Sequence, residues 1–167
     1  FEAGKGGTTS APFSSGQNNT ALGYQALTAF TTGGSNTAVG FESLKAVTTG
    51  GSNVAIGLQA AEALTTGELN VFIGTDAGIY STVSSRAVGV GYRALARYGL
   101  SSVATGAPVA IGFSAGHYAT GSTNVFVGYE AGQGGTTSGP LSSGDDNVAI
   151  GYQALAGFTT SNRNVAI

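Results

Sequence analysis

The sequence predicts an all-β protein, a parallel β-solenoid of about 17 residues per coil, and three observations carry that expectation. A short phrase returns at regular intervals: "SNVAIG" at Ser52, "NVAIG" at Asn147, "NVAI" at Asn164, with "NTALG" at Asn19, "NTAVG" at Asn36, "NVFIG" at Asn70 and "NVFVG" at Asn124. Within the phrase, apolar and small residues alternate with β-branched side chains, which is a strand signal. The composition is rich in small residues, with 29 Gly, no Cys, no Met and no Trp, yet 41% of the chain is hydrophobic. A disordered linker lacks such residues, so this chain can bury a core, though a thin one.

The Gly that closes each phrase is a ruler. It falls at Gly23, Gly40, Gly57, Gly74, Gly91, Gly112, Gly128 and Gly151, so the first four steps are 17 residues each and the next three are 21, 16 and 23. Fixed short periods of this kind mark stacked arrays. A longer period lies on top: the stretch from Phe1 to Val39 returns from Tyr129 to Ile167, an offset of 128 residues. The chain therefore reads as one solenoid array over residues 1–167, a segment of a longer protein, with 1–39 equivalent to 129–167.

Each unit is justified in order. In the phrase, Val54, Ile56 and Leu58 share one side and Asn53, Ala55 and Gly57 the other; the larger apolar set is expected inside, with Val54, Ile56, Val71 and Ile73 in one interior column. The Asn/Ala/Gly side is then small and flat, and expected to pack against another chain. A second apolar piece follows, "QALTAF" at Gln25 or "QAAEAL" at Gln59, expected as a second short strand. A helix across Gln59 to Leu64 is the rival, but strand-plus-helix repeats need about 20–29 residues. A "TTG" turn closes the unit at Thr31, Thr48 and Thr65.

Stacked coils put equal positions above one another. Asn19, Asn36, Asn53, Asn70, Asn124, Asn147 and Asn164 form one expected ladder, since stacked Asn side chains bond along the stack. The ruler glycines form another, where the backbone bends or approaches closely. Two residues past the ruler, Asp76 and Arg93 become neighbours one coil apart. The long steps are expected to be loops at about Gly99–Ala107 and Gln133–Asp145, the second with its twin at Lys5–Gln17, holding Pro140 and Pro12. Such loops are where a ligand is sought first.

"NVAIGYQAL" from Asn147 and "TTGGSNVAIG" from Thr48 resemble the head repeats of trimeric autotransporter adhesins, and are similar to arrays in phage tail fibres and bacterial surface fibres. The resemblance spans nearly the whole chain. It implies a left-handed parallel β-roll, three chains side by side, on a cell surface or a virion. The 17-residue unit is longer than the adhesin repeat, and the 128-residue block is no part of that pattern.

Little chemistry is legible. The net charge is -2 and the six Lys/Arg are scattered, so no nucleic-acid face is expected. No apolar run approaches the roughly 20 residues of a membrane span. His117 stands alone, and metal sites need several convergent ligands. "SGDDN" at Ser143 resembles a calcium loop only slightly, and its counterpart "SGQNN" at Ser15 lacks both carboxylates. No catalytic, cofactor or metal residue is nominated. Arg86, Arg93 and Arg97 cluster in the fifth unit, either as a docking patch for an anionic glycan or as a solvated face paired with acids of neighbouring coils. The function expected is a non-enzymatic segment of an extracellular fibre or adhesin, self-assembled as a homo-oligomer. A tail-fibre shaft and a glycan-binding module are the alternatives.

Overall fold

The structure is a computed structural model that describes residues 2–6, 14–100, 106–135 and 141–167. Nine short strands are laid down one per unit: β1 (Thr20–Leu22), β2 (Thr37–Val39), β3 (Val54–Ile56), β4 (Val71–Ile73), β5 (Val88–Val90), β6 (Val109–Ile111), β7 (Val125–Val127), β8 (Val148–Ile150) and β9 (Val165–Ala166). They form one sheet in the order β1 to β9. Every pairing is parallel and in register with the ruler: Val54 faces Val71, and Ile56 faces Ile73. The long steps do not disturb it. Val88 pairs with Val109 across 21 residues, and Val125 with Val148 across 23. The chain is thus a parallel β-solenoid, with no helix among the described residues.

The second segment is not a strand. Gln25 and Leu27 have φ of 51° and 50°, and Glu42 and Leu44 have 55° and 47°. Alternate residues in the left-handed region break the extended pleat and make this side a run of turns. Such a conformation costs roughly 1–2 kcal/mol per non-Gly residue. Hydrogen bonds between coils offset it: the N–H of Leu27 donates to Ser43 O at 3.0 Å, Leu44 to Ala60 O at 3.1 Å, and Ala61 to Ala77 O at 2.8 Å. At the TTG corner, Thr48 N–H and its hydroxyl both donate to Thr65 O.

The phase of the strands is the reverse of the expected one. Ala38, Ala55, Phe72, Ala110, Phe126 and Ala149 are the buried strand residues, and Asn36, Asn53 and Asn70 are buried beside them. Val54 and Val71 are half-buried on the outside, and Ile56 and Ile73 are 38% and 36% exposed. The expected interior column of Val54, Ile56, Val71 and Ile73 is therefore a real column, but an outward one. The reason is the width of the coil. The turn segment opposite each strand sends Ala26 and Leu27, or Ser43 and Leu44, into the same interior. Only a small residue fits across from them.

Two coils test this rule by breaking it. Where the strand carries Phe72 or Phe126, the position that holds Leu27, Leu44, Leu95 or Leu155 in four other units, and Ala61 and Gly116 in the remaining two, is Gly78 or Gly132. A Cβ on Gly132 would lie 2.1 Å from Phe126 Cδ1, and one on Gly78 2.6 Å from Phe72 Cδ1. Neighbouring coils also yield: a Cβ on Gly89 would meet Phe72 at 2.9 Å, and one on Gly116 would meet Phe126 at 2.9 Å. Each phenylalanine thus fills space that glycines of its own and an adjacent coil leave open, as close packing demands.

The ruler glycines have a backbone reason. Gly40 has φ +135°, and a Cβ there would lie 2.3 Å from Gly57 O; Gly57, at +136°, would meet Gly74 at 2.6 Å. Each side chain would strike the backbone of the coil above, so the stack closes only on glycine.

The expected loops are in part beyond description. Residues 7–13, 101–105 and 136–140 lie outside the described residues, and Pro12 and Pro140 with them.

Candidate functional site: a polar ladder, an apolar face and a charged cluster

The Asn ladder is built inside the coil. Asn53 Nδ2 donates to Gly67 O at 2.9 Å and to Asn36 Oδ1 at 3.0 Å, while Asn53 Oδ1 accepts the N–H of Asn70 at 3.0 Å. Asn19 Nδ2 bonds Gly33 O, and Asn36 repeats the pattern to Gly50 O. Further on, Asn124 bonds Gly144 O, Asn147 bonds Ser161 O, and Asn164 donates to Asn147 Oδ1. From Asn19 to Asn147 each amide thus ties its strand to the corner that closes its own coil, and most also bond a neighbouring coil. Buried polar groups of this kind stabilise only when fully paired.

The ladder breaks once, in a self-consistent way. The fifth and sixth copies carry Ala87 and Pro108 in the Asn column. Ala87 has no acceptor to offer the residue above, and Pro108 has no N–H that needs one. The strand bond survives, since Val88 N–H donates to Pro108 O at 2.9 Å.

Outside, the sheet presents three apolar columns. Thr20, Thr37, Val54, Val71, Val88, Val109, Val125 and Val148 form one; Leu22, Val39, Ile56, Ile73, Val90, Ile111, Val127 and Ile150 form the next. The third begins with Tyr24 and Phe41, stacked at 5.2 Å, passes through Leu58 and Thr75, and runs on from Tyr92 through Phe113 and Tyr129 to Tyr152 at 4.9, 5.0 and 5.3 Å. The rings stack on one another with interplanar angles of 5–25°, so their edges face outward. No charged side chain interrupts these columns. The smooth face available to another chain is this Val/Ile/aromatic side, and not the Asn/Ala/Gly side, which is interior.

The charged positions also form a column. Gln59 Nε2 donates to Glu42 Oε2 at 2.9 Å, Arg93 Nε to Asp76 Oδ2 at 3.1 Å, and Gln153 Nε2 to Glu130 Oε2 at 2.7 Å. Lys45 lies 2.6 Å from Glu42, which holds the Glu42 carboxyl below its ordinary range, helped by Gln59.

Two of the three arginines, Arg93 and Arg97, lie close enough to His117 for their charges to act on it. Arg86 is exposed on the corner preceding its strand. Arg93 pairs with Asp76, and Arg97 lies over the rings of Tyr80 at 4.9 Å and Tyr118 at 5.7 Å. His117 is buried between coils and stacks on Tyr118 at 4.2 Å. Burial, with the Arg93 and Arg97 charges next, pushes its pKa down to about 4. The sequence offered one signal for this group: the column that is Ala29, Ala46 and Ala63 becomes Tyr80, Arg97 and Tyr118. Asp145 and Asp146 are engaged in turns, Asp145 Oδ1 accepting the Ser122 N–H. Among the described residues, no three His, Asp or Glu side chains converge to hold a metal.

Coil, ladder and outward face together define a β-solenoid repeat protein. No protein family, curated protein or solved structure matches the chain.

Proposed function

We propose that the chain is a non-enzymatic structural segment of an extracellular fibre or surface adhesin, in which coils set length and copies associate side by side. The observation that supports it most is the uncharged, largely apolar face on the outer side of the sheet. The largest contiguous apolar patch on a typical monomer is about 300–600 Å² and is often an interaction site. Eight inter-coil steps of about 4.8 Å and a width of about four residues give a stripe of roughly 500–600 Å². Two such stripes come close to the about 1,200 Å² at which stable interfaces begin. A closed trimer covers the face in every chain, which agrees with the fibre-type repeats that "NVAIGYQAL" resembles. A tail-fibre shaft rests on the same physics and differs only in where the fibre is mounted.

Sedimentation velocity tests this reading. The wild-type protein is expected as a concentration-dependent oligomer, with a trimer as its limit. Ile56→Lys, Ile73→Lys and Ile111→Lys together should give a folded monomer with unchanged far-UV circular dichroism. A wild-type protein that stays monomeric to high concentration, or an oligomer that ignores the three lysines, overturns it.

A further inference from the structure

At the fourth to sixth coils, one surface column departs from the repeat and becomes Tyr80, Arg97 and Tyr118. The two tyrosine rings lie on either side of the Arg97 guanidinium. Stacking of this kind uses the faces of the guanidinium and leaves its in-plane N–H groups free. Those groups have no acceptor within the described protein that would match them. Arg97 Nε is buried and has no hydrogen-bond partner, while the side chain as a whole is half-buried, so a ligand meets the guanidinium at its Nη groups. Asp76, the carboxylate of the neighbouring column, is taken by Arg93. His117 is neutral at ordinary pH and adds no charge. The cluster of Arg93, Arg97 and Asp76 therefore carries one uncompensated positive charge, on a chain whose net charge is -2.

We propose that Arg97, held between Tyr80 and Tyr118, binds the carboxylate of an acidic sugar. A planar fork with one spare charge matches a planar monoanion bidentately. A dianionic phosphate asks for more charge than this cluster has. Tyr80, 43% exposed, supplies a hydroxyl and ring surface for the sugar beside the carboxylate. An acidic peptide is the poorer fit. Peptides that lie on sheets do so at free strand edges. Here the backbone is occupied between coils, with Gly78 N–H on Ala94 O, Tyr80 N–H on Ala96 O and Leu95 N–H on Ala115 O. The site stands on the coils themselves, not on the long loops, and does not depend on the chain being a fibre segment.

The test is an NMR titration of the labelled protein with sodium D-glucuronate, alongside D-glucose, acetate and inorganic phosphate. Glucuronate is expected to shift Tyr80, Arg97 and Tyr118 saturably with a midpoint of about millimolar, the strength of one charged contact with its flanking bonds. Glucose should shift nothing in this group, and acetate and phosphate should bind at least fivefold more weakly. Arg97→Gln should weaken glucuronate at least tenfold. Arg97→Lys, which keeps the charge and loses the planar fork, should weaken it at least threefold. If Arg97→Gln unfolds by circular dichroism, the lysine variant alone decides. Absence of a saturable shift, acetate or phosphate binding as well as glucuronate, or an Arg97→Lys protein that binds like wild type each overturns the proposal.

Discussion

Exchanging the sizes of Phe126 and Gly132 tests the interior most sharply. Phe126 is fully buried, and the Cβ that Gly132 lacks would lie 2.1 Å from its ring. Phe126→Ala alone empties the space and should cost about 3–5 kcal/mol. Gly132→Leu alone has nowhere to place its side chain and should cost about 1–3 kcal/mol or more by overpacking. The double substitution recreates the pairing of Ala149 with Leu155, or of Ala38 with Leu44, in the same two columns. The backbone permits it, since Leu155 and Leu44 hold φ of 53° and 47° and Gly132 holds 55°. Recovery should be incomplete, because Phe126 also covers Gly116. The double should still be more stable than the two single costs imply, by about 1–3 kcal/mol of coupling. Urea unfolding of the four proteins, followed by far-UV circular dichroism, measures this cycle. Additive costs would mean that the two side chains do not share a space, and the inward phase of the strands would fall with that result.

Other expectations follow from the ladders and from the two buried titrating groups. Asn53→Ala strands the buried N–H of Asn70 and removes the tie to Gly67, at about 1–3 kcal/mol for each unmade bond; an unchanged urea midpoint would contradict the ladder's role. Gly57→Ala drives a Cβ to 2.6 Å from Gly74 at φ +136°, and should lower stability by more than about 1 kcal/mol, where the same replacement at a compatible backbone position would raise it. His117 has its pKa lowered to about 4 from the model-peptide 6.5, so between those values the unfolded chain binds the proton and the folded one does not. Stability contributed by neutral His117 is present above pH 6.5 and is lost as pH falls toward 4; His117→Gln should flatten that slope, and an imidazole shift titrating near 6.5 would refute the burial argument. Tyr98 is buried, with its hydroxyl donating to Gly106 O, and burial raises its pKa to about 12. The unfolded tyrosine ionises first, so stability should fall as pH rises from about 10 to 12, and absorbance near 295 nm should show one tyrosine ionising after the others.

The period, the coil count and the register were legible because the ruler glycines count coils directly, and because Asp76 and Arg93 sit where that count puts them. The phase was hidden. Alternation reads the same from either side, and size alone favours Val54 and Ile56 as core over Asn53 and Ala55. What decides it is the narrow interior, and the sequence does carry that constraint: Phe72 and Phe126 replace alanine only in the units where Gly78 and Gly132 replace a larger residue. The turn segment was illegible for another reason. Leu27 and Leu44 adopt left-handed backbone that leucine does not prefer, held there by bonds to residues 16 positions on. Local pattern cannot signal a conformation imposed by stacking.

The central claim is that one unit is one coil whatever its length. Outward positions Thr20, Val88, Val125 and Val165 occupy one column, four, six and eight coils apart along β1, β5, β7 and β9. In a chain without native cysteine, spin labels at Thr20→Cys paired in turn with Val88→Cys, Val125→Cys and Val165→Cys report the spacing by pulsed electron resonance. At about 4.8 Å per coil the separations should be roughly 19, 29 and 38 Å, a straight line in coil number even though the steps hold between 16 and 23 residues. Distances that grow with residue number, or that jump at the long steps, would contradict the account.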